Sequence, residues 1–322
     1  MILDSIKNLV RDDFEAVNQL IQNNLTSDVE LINQLCRHIL DSGGKRLRPL
    51  MVILSSKACG YSGDKHIKLA AAIEYFHTAT LLHDDVVDES ALRRGKETAN
   101  KIWGSKACIL VGDYLFTHSV DLIVSSRNWG ILDLFAGISH QISCGEIKQL
   151  QNRYSADIKA EDYFDVIRSK TSLLFSASAE LGARLAESSP ALNKALSHYG
   201  LHLGNAFQLV DDALDYSSSP EILGKNIGDD LADGKITLPL ICAIERGTPE
   251  QAAVIRKSIQ HGAAEQLDDI LQIVIETKAL DYTYKIACQE VNLALSSLGE
   301  LKDSVYKKAL IDLAHFAVSR QH

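Results

Sequence analysis

Two short stretches hold most of the side chains able to do chemistry. "LLHDDVVDES" (81–90) sets Asp84, Asp85 and Asp88 in an otherwise apolar run, and "QLVDDALDYS" (208–217) repeats the pattern with Asp211, Asp212 and Asp215. Carboxylates are costly to bury unless something neutralises them. On a helix, residues four apart share a face and neighbours stand about 100° apart. Asp84 and Asp88 are therefore expected to point the same way with Asp85 beside them, and Asp211, Asp215 and Asp212 repeat this. Hard oxygen donors so spaced suit Mg²⁺, which keeps several waters and takes phosphate oxygens from a substrate. One acidic helix end reads equally well as a solvated terminus. Two copies, each ending a long and mostly apolar helix, point to metal sites on two sides. Neither copy has the D-x-D-x-D-G loop of an EF-hand.

A second set of residues is basic. "GGKRLRP" (43–49) puts Lys45, Arg46 and Arg48 at a helix start after a glycine turn, and "RRGKET" (93–98) adds Arg93 and Arg94. Helix N-termini and forked guanidinium groups both favour phosphate. The glycine spacing and the Ser/Thr of a P-loop are missing. His77 lies seven residues before Asp84, two turns away on nearly the same face, and is expected to point toward the metal site. Lys170 stands inside the apolar run "RSKTSLLF", and Lys225 and Lys235 bracket "GKNIGDDLADGK", where Asp229, Asp230 and Asp233 either add metal contacts or cap a turn. Each of these lysines alone reads as a surface residue. His198 and His202 share a face without an HExxH motif, and no GxSxG, GxGxxG or kinase set is present. Together the charges describe two anion sites, one bridged by metal and one basic. An apolar cavity between helices would hold a greasy substituent, and diphosphate is a leaving group that metal ions improve.

Helical periodicity supplies the elements that must position these groups. Runs at 29–40, 68–89, 166–186 and 192–216 carry apolar residues at spacings of three and four, and the C-terminal third continues the pattern. Breakers such as "DSGGK", "YSGD", "SSSP" and "RGTPE" separate them, and alternating β-branched runs are scarce. The expectation is an all-α chain, 1–322, forming one large bundle of ten or more helices around a central cavity. Hydrophobic residues make up 46% of the 322, enough for a sizeable core, and the net charge of −9 argues against nucleic acid as a partner. The six cysteines show no CxxC and no zinc spacing, as in a reduced cytosolic protein. The acidic, amphipathic N-terminal stretch does not read as a signal peptide, "FAVSRQH" carries no lipidation motif, and no continuous apolar run approaches the roughly 20 residues of a membrane span. The expected location is the cytoplasm.

"GGKRLRP", "HDDVVDESALRRGK", "FQLVDDALDY" and "GKNIGDDLADGKITLP" occur in an order that resembles the trans-isoprenyl diphosphate synthase (polyprenyl synthetase) family, most closely its octaprenyl type, over nearly the whole chain. The resemblance implies head-to-tail condensation: an allylic diphosphate such as farnesyl diphosphate ionises with the help of several Mg²⁺ ions, isopentenyl diphosphate attacks, and a proton is lost. It implies that Asp84, Asp88 and Asp211 bind Mg²⁺, supported by Asp85, Asp212 and Asp215. Lys45, Arg48, His77 and Arg94 would hold isopentenyl diphosphate. Arg93, Lys170, Thr171, Gln208, Lys225 and Lys235 would face the allylic substrate, with Lys170 among the catalytic set. Gln208 and Thr171 would place oxygen dipoles near the cation. A homodimer and a role in ubiquinone side-chain synthesis follow from the same resemblance, and a very hydrophobic product allows a transient membrane encounter. A short-chain farnesyl or geranylgeranyl synthase is the nearest rival. A terpene cyclase needs only one diphosphate site, and a non-catalytic partner subunit should have lost aspartates that are intact here.

Chain length follows from helix geometry. Going back from Asp84, Thr80, Ala79, Phe76 and Ala72 fall on one broad stripe. Ala79 and Thr80 are small, so the first turns beside the metals are open, whereas Phe76, eight residues and about 12 Å away by helical rise, either floors the tunnel or turns aside. A product of about octaprenyl length is expected. Ala79→Tyr should shorten the products resolved by reversed-phase chromatography, and an unchanged length distribution would refute this tunnel.

Overall fold

The computed structural model describes residues 2–23, 27–41, 43–217, 228–261 and 266–319. These are overwhelmingly helical, in agreement with the periodicity. The order begins α1 (Ile2–Leu9), α2 (Arg11–Asn23), α3 (Glu30–Asp41), α4 (Leu47–Ala58) and α5 (Lys65–Val87). The two-residue strands β1 (Leu92–Arg93) and β2 (Lys96–Glu97) pair antiparallel, and are followed by α6 (Ala99–Trp103), α7 (Ser105–Ser125), α8 (Trp129–Asn152) and α9 (Ala160–Ile167). A π-helical turn, Arg168–Ser172, leads into α10 (Leu173–Leu185) and α11 (Pro190–Leu214). Then come α12 (Asp229–Ala232), α13 (Leu238–Arg246), α14 (Pro249–His261), α15 (Leu267–Glu276), α16 (Ala279–Ser297) and α17 (Val305–Val318). Pro190, Pro239 and Pro249 stand in the first turns of α11, α13 and α14, where a missing N–H costs nothing.

The contacts divide the chain into two compact units. The first comprises Met1–Ile138, Leu174–Gly200 and Ser297–Leu313. Its central element is α5, whose Leu69, Ala70, Ala71, Ala72, Ile73 and Leu82 are completely buried. A helix apolar around most of its girth needs neighbours on several sides, and α5 packs on α2, α4 and, most extensively, α7. The second unit comprises Ser139–Leu173, Leu201–Ser296 and Ala314–His322. Its core gathers Tyr163, Leu209, Val210, Leu240, Ile255 and Ile270 among others.

Helix α7 has 21 residues and an 18-residue window of mean hydropathy 1.5, so by length and composition alone it could cross a membrane. Lys106, Asp113 and Asp121 interrupt it, so no continuous apolar run is visible, yet its average is high. Only 39% of that window is buried.

The first unit contains a polar contact that ties α2 to α5. The Tyr75 hydroxyl, on a fully buried ring, donates to the Ile21 carbonyl at 2.9 Å. Ile21 lies in the last turn of α2, where carbonyls have no intrahelical partner. Tyr75→Phe should cost about 1–2 kcal/mol by leaving that acceptor unsatisfied, measurable as a lower urea midpoint with an unchanged slope.

Candidate active site

In the first unit, α5 ends in the acidic cluster. Asp84 and Asp88 are half-buried one turn apart, and Asp88 is the C-cap residue, its N–H bonded to the Asp84 carbonyl. Asp85 is 2% exposed and does not lie open to a ligand. The Arg93 guanidinium grips it: Nε donates at 2.9 and 3.0 Å to the two oxygens and Nη2 approaches Oδ1 to 2.7 Å. Burial pushes the Asp85 carboxyl up, Arg93 pulls it down, and Asp84 and Asp88 add to the rise. The β1–β2 hairpin brings Arg93 back over the helix end, because a buried carboxylate needs a counter-charge. Arg93, expected to face the allylic substrate, thus has a carboxylate partner at the metal end.

A basic cluster lies two turns up the same helix. Arg48 Nη1 stands 3.2 Å from His77 Nε2, and its guanidinium carbon sits 4.4 Å over the Phe175 ring. Burial and the charges of Arg48, Arg94 and Arg93 hold His77 well below the usual imidazole range, so it is neutral at pH 7. Seven residues separate it from Asp84, about 10 Å along the axis. The charges acting on it are Arg48, Arg94 and Arg93, the last of which also holds Asp85. Arg94 lies against Gly44, where an added Cβ would stand 3.0 Å from Nη1. Arg46 and Arg94 both adopt left-handed backbone (φ 49° and 53°) beside Gly43 and Gly95. Such strain, of order 1 kcal/mol or more per residue, clusters at functional sites. Lys45 is exposed at the mouth of this turn. Sequence reasoning missed Glu74, which pairs with Arg46 at 3.5 Å and whose carboxyl burial pushes up against Arg46, Arg48 and Arg94. Its position three residues before His77, on the same helix face, was the available signal.

The second unit holds a cavity of ≈ 140 Å³ whose lining includes Lys170, Thr171, Gln208, Asp212 and Lys235. Thr171 donates to Gln208 Oε1 at 2.8 Å, Gln208 Nε2 donates to Asp212 Oδ1 at 2.7 Å, and Tyr163 donates to Asp212 Oδ2 at 2.6 Å. Burial, together with the charge of Asp230, pushes the Asp212 carboxyl up against these two hydrogen bonds. Asp211 is half-buried one residue earlier. Asp215 is buried and turned to the backbone, accepting from the Asp230 N–H at 3.4 Å. Lys170 reaches Glu146 at 2.9 Å and Gln149 at 3.0 Å, and Lys235 pairs with Asp233 at 2.9 Å. Asp233 thus serves a lysine, whereas Asp230 is among the residues lining the cavity. Lys225 lies outside the described residues, as does the side chain of Asp229. Tyr163, Glu146 and the π-helical turn carried no sequence signal.

Of the chain-length residues, Ala79 is 2% exposed and Thr80 is half-buried, its hydroxyl bonded to the His77 carbonyl at 2.8 Å. Phe76 is 4% exposed and meets Phe135 edge-on at 5.3 Å and Phe116 at 5.8 Å between ring centroids.

Among the described residues no three His, Cys, Asp or Glu side chains form a ready-made metal cage. The donors fit a hard divalent cation held by one or two carboxylates, which completes its shell with water and phosphate oxygens. Asp84, Asp88 and Asp211 offer such carboxylates, whereas Asp85 and Asp212 are engaged by Arg93 and by Tyr163 with Gln208.

An all-helical chain with two acidic helix ends and a separate arginine cluster is of the isoprenoid synthase class. The chain matches the polyprenyl synthetase family model over residues 29–276. It is 46% identical over 321 residues to the octaprenyl diphosphate synthase of Escherichia coli (strain K12), covering 99% of each chain. It is 44% identical over 312 residues to the all-trans-nonaprenyl-diphosphate synthase (geranyl-diphosphate specific) of Rhodobacter capsulatus, covering 97% of this chain and 96% of that one. The solved polyprenyl synthase from Caulobacter crescentus CB15, complexed with calcium and isoprenyl diphosphate, superimposes with a TM-score of 0.96 at 42% identity, covering 99% of this chain and 98% of that one. The chain belongs to the polyprenyl synthetase family and is a prenyltransferase.

The neutral state of His77 has a consequence for stability. Its pKa is depressed on folding, so the unfolded chain binds a proton that the folded chain refuses once the pH falls below about 6.5. The native state therefore loses stability as pH falls through that value. Compared with His77→Gln, the wild type should lose about 2 kcal/mol more between pH 7.5 and 5, as measured by urea denaturation at the two pH values.

Proposed function

We propose that this chain adds isopentenyl diphosphate units head-to-tail to an allylic diphosphate such as farnesyl diphosphate, giving a product of about octaprenyl length for a quinone side chain, ubiquinone being the expected one. The observation that carries this reading is the single helix α5, with carboxylates at its end and an arginine–histidine cluster two turns before them. The two ends suit two differently held diphosphates. We assign Asp84 and Asp88 in one unit and Asp211 in the other to Mg²⁺. When bound, these cations would screen the diphosphate oxygens and stabilise the departing group. Asp85 and Asp212 orient their helix ends through Arg93 and through Tyr163 with Gln208.

Arg48, Arg94 and neutral His77, with Lys45 at the mouth, hold isopentenyl diphosphate without metal. Forked guanidinium groups match phosphate oxygens, and an uncharged imidazole does not add to their mutual repulsion. Lys170, Lys225 and Lys235 serve the allylic diphosphate, and Thr171 presents hydroxyl lone pairs to developing positive charge. We place Ala79 and Thr80 along the growing chain and Phe76, with Phe116 and Phe135, at its floor. Residues 1–322 act as one catalytic domain in this reading, supported by a family match that spans both units.

The chain is proposed to act as a homodimer in the cytoplasm. Supporting the first point, Ile109 and Leu110 on α7 are 44% and 68% exposed, with Ile102 and Trp129 exposed nearby in sequence, and such apolar surface favours a partner. Supporting the second, all six cysteines are free thiols. Transient membrane contact would take up the product.

With farnesyl diphosphate, isopentenyl diphosphate and Mg²⁺, the purified chain should release diphosphate and accumulate long-chain product. Asp84→Ala should lower that release by more than the ~10–100-fold typical of losing an outer-sphere partner. Products that stop at geranylgeranyl length, or release with geranyl but not farnesyl diphosphate as starter, would establish the short-chain reading instead. No release by the wild type with either starter would favour a partner subunit.

A further inference from the structure

We infer that Glu290 and Asn205 are positioning residues that set the π-helical turn Arg168–Ser172 and thereby aim Lys170 and Thr171 at the cavity. The inference rests on the reading of that cavity as the allylic diphosphate site. A π turn holds an extra residue, is wider than an α turn, and occurs frequently at functional sites. Here the widening is accommodated by close backbone approach. A Cβ on Gly204 of α11 would stand 2.6 Å from the Ser172 Cα, and one on Gly145 of α8 would collide with the Ser169 side chain. The turn is thus pressed between two helices, and what holds it open is polar.

The Glu290 side chain on α16 is 14% exposed, and its Oε2 accepts from Asn205 Nδ2 at 3.0 Å and pairs with His202 Nδ1 at 2.7 Å. A carboxylate only accepts, so it dictates which end of the Asn205 amide faces it. That leaves Asn205 Oδ1 toward the turn, where it accepts from Ser172 Oγ at 2.6 Å. The same hydroxyl lies 3.3 Å from the Ile167 carbonyl, five residues back, across the π turn. Asn205 is 1% exposed and Ser172 fully buried, so water cannot replace either partner cheaply. Thr171, next in the turn, is bonded to Gln208, one turn beyond Asn205 on α11. One helix face therefore fixes two successive residues of the turn, one by a link to Glu290 and one by a link to Asp212. Glu290 and Asn205 do not line the cavity themselves and act on it through the turn.

The test uses the full chain. Asn205→Asp keeps the shape but sets carboxylate against carboxylate, and Glu290→Leu removes the acceptor. Both should lower kcat by about 10–100-fold with the KM for isopentenyl diphosphate within twofold of wild type, and both should speed hydrogen exchange of the amides at 167–173. Glu290→Gln, whose amide oxygen can take both hydrogen bonds, should recover kcat to within about threefold and restore the slow exchange. Faster exchange with unchanged kcat would reduce the relay to a structural role and overturn the inference. So would unchanged exchange and kcat in Asn205→Asp, or Glu290→Gln as impaired as Glu290→Leu. A wild type without diphosphate release defeats the functional reading on its own, and the exchange measurements then decide separately whether the relay sets the turn.

Discussion

Carboxylates placed where water is scarce are the constraint around which much of this molecule is organised. Asp85 and Asp212 are 2% and 3% exposed, each beside an aspartate that remains half-buried. A charge so placed is tolerated only with partners that satisfy its oxygens. For Asp85 the partner is Arg93, delivered by a two-stranded hairpin whose turn also carries Arg94. For Asp212 it is Tyr163 from one neighbouring element and Gln208 from its own helix. In both motifs the second aspartate fixes the helix end and the first stays half-buried, whereas the last is half-buried at Asp88 and fully buried at Asp215.

The same economy shapes the basic end of α5. Arg46, Arg48, Arg93 and Arg94 gather within a few turns, with Glu74 the acid paired to Arg46 and His77 held neutral. A cluster so rich in like charge opposes folding unless an anion or a favourable contact relieves it. The Phe175 ring beneath Arg48 and the Glu74 pair supply part of that relief. The diphosphate proposed for this cluster would supply more. The left-handed backbone at Arg46 and Arg94 is then the conformational cost of directing two side chains into one small volume.

Much of the fold and the outline of the site were legible before any coordinates. The 3.6-residue period placed the helices, and two D-D-x-x-D runs marked their ends. Less legible were residues whose importance depends on what they meet. Tyr163, Glu146, Glu74 and Glu290 look like ordinary helix residues in the sequence, and the pairing of Arg93 with Asp85 was not foreseen either.

By itself the sequence determined the helical class, the two acidic motifs, the basic stretch after the glycine turn and the small residues on the stripe behind Asp84. All of these are local, since helix period and motif spacing are properties of neighbouring residues. Tertiary structure alone decided that Arg93 belongs to Asp85, that Phe76 meets Phe116 and Phe135, that His77 sits among arginines and is neutral, and that a π turn braced from α16 presents Lys170 and Thr171. Most of those outcomes depend on contacts between residues distant in sequence, where burial strips water from charges and the nearest partner, not the spacing, settles each group's role.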